Sequence, residues 1–343
     1  MVIHYKCPNC GDDMTFDSES GHLSCGACGR QDNIETFSEE FISTTFEDHE
    51  AKEYHCENCG ASLITDADTA ATTCSFCGAA VVLAERVSGT LAPAMVIPFS
   101  VSRDEAVKAF KKWCRNGILS PAGFMTADRI KQITGMYVPF WIYDLNSKVE
   151  VTAHATKVKS YSSGDYIVTE TSHFNVYRDI NLNYLKVPVD ASKKMDDELM
   201  DKLEPFPYDQ LKPFKTPYLA GYIAEKYNYD ESELLPRVKQ KIQSFIDSYI
   251  DSSISGYSSV QYRNKNINTK KVSSSYILLP VWMLYYDYNG TEYVFAMNGQ
   301  TGKVVGKPPI SRGKIFGWFG AIAGGTFILL KAASMLMGGG LLW

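Results

Sequence analysis

The chain has 343 residues, 45% of them hydrophobic, 13% aromatic and 21% charged. That is enough apolar material for two or three packed units and too much for a disordered chain. The formal net charge of −5 hides an asymmetry: residues 1–95 hold 4 Lys+Arg against 16 Asp+Glu, and the other 248 hold 30 against 23. An acidic front end repels phosphate backbones, which argues against a simple DNA- or RNA-gripping role for it.

The first seven residues show no basic stretch followed by an apolar run, so no signal peptide is expected. Nine cysteines follow, eight of them in four C-x-x-C pairs: Cys7/Cys10, Cys25/Cys28, Cys56/Cys59 and Cys74/Cys77. The second two pairs repeat the first two with a shift of 49 residues, and 14 residues separate the inner cysteines in each copy. A fixed offset over four positions marks a repeated unit. Zn²⁺ takes four ligands tetrahedrally, and two thiolates on one tight turn supply half of that shell. The residue after each second cysteine is glycine (Gly11, Gly29, Gly60, Gly78), as a turn with φ > 0 favours. Disulfides, redox pairs and an iron–sulfur cluster are the competing readings. A chain without an export signal sits in a reducing compartment, which disfavours disulfides, and a redox motif needs one pair at a helix N-terminus. The expectation is two structural zinc ribbons with four cysteine ligands each, residues 1–34 and 54–84, joined by an acidic linker, 35–53. Four thiolates close the shell, which leaves no open position for metal catalysis. His4, His22 and His55 are expected on the ribbon surfaces, and the lone Cys114 as a small buried residue.

Residues 91–310 read as a Tyr-rich, mixed antiparallel α+β domain. Ser102-Arg103-Asp104-Glu105 is a capping box before Ala106, Val107, Phe110 and Trp113 at helical spacing. Residues 136–143 and 149–154 read as two strands, and residues 166–177 as a third. Residues 196–203 look helical and stop before Pro205. The longest helical pattern covers residues 231–254, with Leu234, Leu235, Val238, Ile242, Phe245, Ile246 and Tyr249 on one face. Residues 276–287 and 292–298 form a hairpin around Asn289-Gly290, followed by a turn at residues 299–303. Pro139-Phe140-Trp141 and Pro280-Val281-Trp282 lie 141 residues apart, and Ile97-Pro98-Phe99 resembles Lys212-Pro213-Phe214. A duplicated unit and chance both account for that. The domain carries no phosphate-cradling loop, G-x-S-x-G or H-E-x-x-H. His154 and His173 stand on strand patterns without partners in sequence, and no enzyme is expected.

From residue 315 to residue 343 the only charged side chain is Lys331. A helix over 315–337 is long enough to cross a bilayer. Lys303, Lys307, Arg312 and Lys314 precede it with no acidic residue after Lys303, which predicts a single pass with the N-terminal domains cytoplasmic. Trp318 and Trp343 suit the two interfaces. Gly317, Gly320, Ala321, Gly324 and Gly325 form a small-residue stripe suited to contact with a partner helix, in a homo- or hetero-oligomer.

The two C-x-x-C-G ribbons, the segment 136–141, the stretch 186–190 with Met195-Asp196-Asp197, and Phe295-Ala296-Met297-Asn298-Gly299-Gln300-Thr301-Gly302-Lys303 together resemble the TFIIB-type zinc-ribbon membrane proteins of Gram-positive bacteria. The resemblance runs over nearly the full length. It implies a membrane component of an envelope-stress assembly, associated with an SPFH-type scaffold protein, a TPM-type membrane protein and a PspA-like protein, and touching membrane lipid. The eight paired cysteines carry over as zinc ligands, and no catalytic residue carries over. The expected function is a membrane-anchored zinc-ribbon adaptor that docks such proteins at the inner face of the cell membrane, with no nucleic acid involved. The alternative is a membrane-tethered nucleic-acid-binding ribbon protein. Ribbons in that role normally carry Lys/Arg and stacking aromatics.

Overall fold

The computed structural model describes residues 2–3, 5–36, 52–56, 62–65, 68–74, 79–83, 86–87, 92–116, 119–121 and 133–336. Most of the acidic linker, Cys59, Cys77, His4 and Trp343 lie outside the described residues. The N-terminal part contains β1 (Val2–Ile3), β2 (Met14–Asp17), β3 (His22–Cys25) and β4 (Gln31–Asp32), then β5 (Lys52–His55), β6 (Ser62–Thr65), β7 (Thr69–Thr73) and β8 (Ala80–Leu83). The repeat read from the cysteines is present in the ladders. Lys6↔Asp13 recurs as His55↔Ser62, Leu23↔Asp32 as Thr72↔Val81, and Ser24↔Gln31 as Thr73↔Ala80, each shifted by 49 residues.

The rest comprises β9 (Met95–Val96), α1 (Arg103–Asn116), β10 (Thr134–Ser163), β11 (Tyr166–Asp190), α2 (Asp197–Leu203), β12 (Lys212–Pro213), β13 (Ile223–Glu225), α3 (Leu235–Ser253), β14 (Ser259–Tyr288), β15 (Thr291–Asn298), β16 (Val304–Gly306) and α4 (Arg312–Leu336). One 11-stranded sheet runs through both parts: β1 pairs with β8, and β7 pairs with β13. The first copy thus reaches the second through β1, and the second continues into the main sheet. Pairing is antiparallel except for β10–β13 and β14–β9.

The offset of 141 residues reappears as an internal twofold in the register. β10 and β14 pair antiparallel through Val138↔Leu279, flanked by Tyr137↔Pro280 and Pro139↔Leu278. Met136↔Ile223 has its counterpart in Ile277↔Met95, and Phe140↔Asp190 in Val281↔Asn298. A strand–helix–strand–strand unit, β9-α1-β10-β11, is therefore matched by β13-α3-β14-β15. Asp190 and Asn298, from the two stretches that carried the family resemblance, occupy equivalent places and are both fully buried. Asn298 donates to the carbonyls of Leu203 (3.1 Å) and Pro205 (3.3 Å) and accepts from the amides of Gln300 (2.9 Å) and Thr301 (3.0 Å). The next residue has to be glycine, since a Cβ on Gly299 would lie 2.6 Å from the Phe99 ring.

Local rules set the helix and turn ends. The capping box forms, with Ser102 N donating to Glu105 Oε2 (2.9 Å) and Glu105 N to Ser102 Oγ (3.4 Å). Asp196 caps α2 by accepting from Leu199 N (2.7 Å). Asn289 (φ 57°) and Gly290 (φ 74°) make the turn between β14 and β15 that the dipeptide predicts.

Five expectations need correction. The two strands read at 136–143 and 149–154 are one, β10, whose register shifts between Tyr143 and Leu145 rather than ending there. The strand read at 166–177 runs on to Asp190, and β14 begins at Ser259 rather than at residue 276. β10, β11 and β14 together form a three-stranded arm, with β10 about 100 Å long along its path at about 3.3 Å per residue. α3 starts at Leu235 rather than at residue 231, because Asp230 holds the preceding turn by accepting from Ser232 N (2.8 Å) and Glu233 N (2.9 Å). Its buried stripe is Leu234, Val238, Ile242, Ile246 and Ile250, while Phe245 and Tyr249 of the expected face are 63% and 50% exposed.

That stripe packs on Val149, Val151, Ala153 and Ala155 of the arm. The opposite face of the arm is polar; there Asn146 Nδ2 donates to the side chains of Asn181 (2.7 Å) and Asn183 (2.8 Å). In the central sheet one face holds Tyr137, Leu278 and Trp282 beneath α1 and the first ribbon. The other holds Val138, Phe140, Leu279 and Val281 beneath Met200 and Leu203 of α2. Ile246→Ala is expected to cost about 2–5 kcal/mol and Phe245→Ala under about 0.5 kcal/mol. Chemical denaturation of the detergent-solubilised chain followed by circular dichroism checks both.

α4 covers 25 residues, about 37 Å of helix. Its candidate span, Arg312–Ala333, has a mean hydropathy of 1.5, and none of that window is buried within the protein. A core helix would be covered and an interfacial helix would keep a polar face; this one is apolar all round and bare, as a bilayer-crossing helix is.

Candidate metal centre

Two short turns build the site on the first ribbon. Cys7 N donates to Asp12 O (2.8 Å) and Gly11 N to Cys7 O (2.8 Å); Cys25 N donates to Arg30 O (2.8 Å) and Gly29 N to Cys25 O (2.9 Å). Gly11 and Gly29 take φ of 77° and 74°, a conformation that disfavours a Cβ. Each turn doubles back so that both of its sulfurs face one point. The Sγ atoms of Cys7, Cys10, Cys25 and Cys28 all lie within 4.8 Å of one another, with Cys7–Cys28 at 3.6 Å and Cys10–Cys25 at 3.5 Å. Four sulfurs about 2.3 Å from a central Zn²⁺ sit about 3.8 Å apart, so the constellation has the size of a tetrahedral metal site.

Cys7 and Cys25 are buried, while Cys10 and Cys28 are exposed on the outer side. The ribbon is seated on the main domain. Phe16 N donates to Ala220 O (2.9 Å), the Phe16 ring lies 5.4 Å from that of Tyr218, and Thr15 presses against Gly221, where a Cβ would be 3.1 Å away. His22 Nδ1 contacts Ser20 O (2.9 Å) and takes no part in the sulfur cluster.

Among the described residues this is the one four-cysteine cluster capable of coordinating a metal. In the second copy Cys56 and Cys74 are buried and share a small core with Tyr54, Leu63, Ala79, Val81 and Leu83. Cys74 N donates to Ala79 O (2.8 Å), the bond that Cys25 makes to Arg30 in the first copy. Cys59 and Cys77 lie outside the described residues.

Elsewhere the structure joins residues that sequence spacing kept apart. His154 and His173 meet across β10 and β11, Nε2 to Nδ1 at 3.0 Å; they stand on adjacent strands of one hairpin, a relation that only strand register reveals. Asp190, fully buried, pairs with Arg237 of α3 (2.8 Å), which also reaches Asp197 (2.9 Å). Burial pushes the Asp190 carboxyl up to about 6 against the pull of Arg237. Cys114 is buried on the inner face of α1 as expected, its thiol pushed up to about 12 by desolvation. A cleft of ≈ 620 Å³ lies between the first ribbon and the large sheet, lined by Thr15, Thr72, Thr73, Arg103, Tyr222 and Trp282 among others. No cysteine, histidine or carboxylate lines it among the described residues.

No protein-family profile matches the chain. No solved structure matches it either. Among curated proteins it is similar to the uncharacterized protein YdjG of Bacillus subtilis (strain 168), 68% identical over 340 residues that cover 99% of this chain and 100% of that protein. Identity of that degree across both complete lengths takes in the ribbon, the twofold sheet and the apolar helix alike, and the chain belongs to the YdjG family.

Proposed function

We propose that the chain is a membrane-anchored zinc-ribbon adaptor without enzymatic activity, of the TFIIB-type ribbon class, holding two structural zinc ions on its eight paired cysteines. Its ribbons face the cytoplasm and dock envelope-stress proteins, an SPFH-type scaffold and a PspA-like protein, at the inner face of the cell membrane. The small-residue stripe of α4 packs against a TPM-type membrane protein. The observation that carries this reading is the direct coupling of a four-cysteine ribbon to a sheet that leads straight into the apolar helix. A partner held on the ribbon is held at the membrane. The matching ladders of the two copies support a second metal site, and the acidic ribbons support a protein partner rather than nucleic acid.

Gentle-detergent affinity purification of the full chain, beside a version lacking α4, tests the proposal. Scaffold or stress proteins are expected with the full chain, and loss of a membrane protein with the helix. Nucleic acid recovered without protein partners would instead favour the tethered nucleic-acid reading. Cys→Ser at Cys7 or Cys56 is expected to lose the soluble partner while membrane insertion persists, as carbonate extraction reads it.

A further inference from the structure

We infer that α1 is an anionic-lipid contact, a basic collar that holds the domain against phospholipid headgroups beside the point where α4 enters the bilayer. Lys108, Lys111 and Lys112 recur at the spacing of one helix face, and all three are exposed. Ala106, Phe110 and Cys114 occupy the opposite side of α1 and are buried against the sheet. The basic face is therefore the outer one by construction.

None of these three lysines has an ion pair or a hydrogen bond among the described residues. Several lysines elsewhere are neutralised: Lys241 pairs with Asp201 and Glu204, Lys265 with Asp247, Lys271 with Glu231 and Lys202 with Glu198. The acidic groups of α1 itself, Asp104 and Glu105, stand in its first turn, and Glu105 is occupied in the capping box. Lys307 lies toward Glu198 of α2 and is no part of this face.

The C-terminal end of α1 meets the start of the spanning helix. Ser311 N, one residue before α4, donates to Leu119 O (2.8 Å), three residues beyond the end of α1. The Trp113 ring lies 3.2 Å from where a Cβ of Gly306 would be. Lys112 is about 6 Å of helix from the last residue of α1. The basic face thus belongs to a helix whose end is tied to the start of α4, where Arg312 and Lys314 are exposed and Ile310, 62% exposed, is an apolar side chain suited to the headgroup–acyl boundary. Unpaired ammonium groups within a Debye length of an anionic leaflet are attracted to it, whereas over a zwitterionic surface they gain little. The inference rests on α4 spanning the bilayer and is independent of which protein the ribbons dock.

The test uses the intact chain in detergent, titrated with phosphatidylglycerol and with phosphatidylcholine, bound lipid being counted by native mass spectrometry. Wild type is expected to retain phosphatidylglycerol preferentially. The triple variant Lys108→Gln, Lys111→Gln, Lys112→Gln is expected to bind it on the order of a hundredfold more weakly, at about fivefold per lysine. The triple Lys→Arg variant should keep wild-type retention. Lys159→Gln with Lys270→Gln, arm lysines with no ion pair among the described residues, should also leave it unchanged. Retention equal to wild type in the Gln triple, or an equal loss in the arm variant, overturns the collar. So does a triple variant that loses self-association but not lipid. Carbonate extraction of wild type separates the two failures: a chain washed from membranes overturns the anchor, and the collar with it.

Discussion

Cys25→Ser is expected to abolish metal binding at the first ribbon and to unfold it. The metal's binding free energy, on the order of 10 kcal/mol for structural zinc, is the folding free energy of so small a unit. Cys25 is also a buried member of the main core, sharing it with Phe16, Leu23, Tyr218 and Leu219. Loss of the ribbon uncovers one face of the central sheet, so the melting temperature of the whole chain should fall along with its metal content. Elemental analysis of purified wild type and variant, beside thermal melts, checks both outcomes. A variant with wild-type metal content would refute the four-cysteine assignment. The residual metal in Cys25→Ser reports directly on the second copy.

Arg237→Ala is expected to cost about 3 kcal/mol at pH 7.5 and markedly less at pH 5, because removing one partner of a buried pair strands the other charge. Asp190 titrates near 6 in the folded protein, above the ordinary carboxylate value of 3.8. A group whose folded value is raised binds protons more readily in the native state. Its contribution to stability is full below about 3.8 and declines as pH rises through about 6. With Arg237 gone the folded value rises further and the decline deepens, so the penalty grows between pH 5 and 7.5. Asp197 and Asp201 are 62% and 39% exposed at their side chains and rehydrate, so they add little. Denaturation of variant and wild type at each pH, compared pairwise so that any metal loss cancels, measures the difference. Adding Asp190→Asn to Arg237→Ala should flatten the pH dependence; a penalty independent of pH would place the destabilisation elsewhere.

The twofold register makes the stretches around Asp190 and Asn298 counterparts. They are equivalent strand ends beside the same axis, each carrying a fully buried polar side chain with a different partner set. Asn298 satisfies itself locally, on the turn that follows it and the end of α2, and so leaves a compact motif. Asp190 depends on Arg237, 47 residues away, and leaves none.

The amino-acid sequence alone determined the cysteine repeat, the first four-cysteine cluster, the capping box of α1, the turn at Asn289-Gly290 and an apolar helix long enough to cross a bilayer. Each is decided within a few residues or by composition, and local geometry has few ways to satisfy four thiols, an unpaired helix N-terminus or a run of apolar residues. Tertiary structure decided the rest. Whether Tyr143 ends a strand or passes through a register shift depends on β11 and β14, which offer partners on both sides. α3 could have buried Phe245 or Ile250; the sheet selected the narrow stripe of Val and Ile that fits over Val149 to Ala155, leaving the larger aromatic outside. The meeting of His154 with His173, the Asp190–Arg237 pair and the junction of α1 with α4 all join segments distant in the chain. Such contacts follow from strand register and packing, for which single-sequence patterns carry no signal.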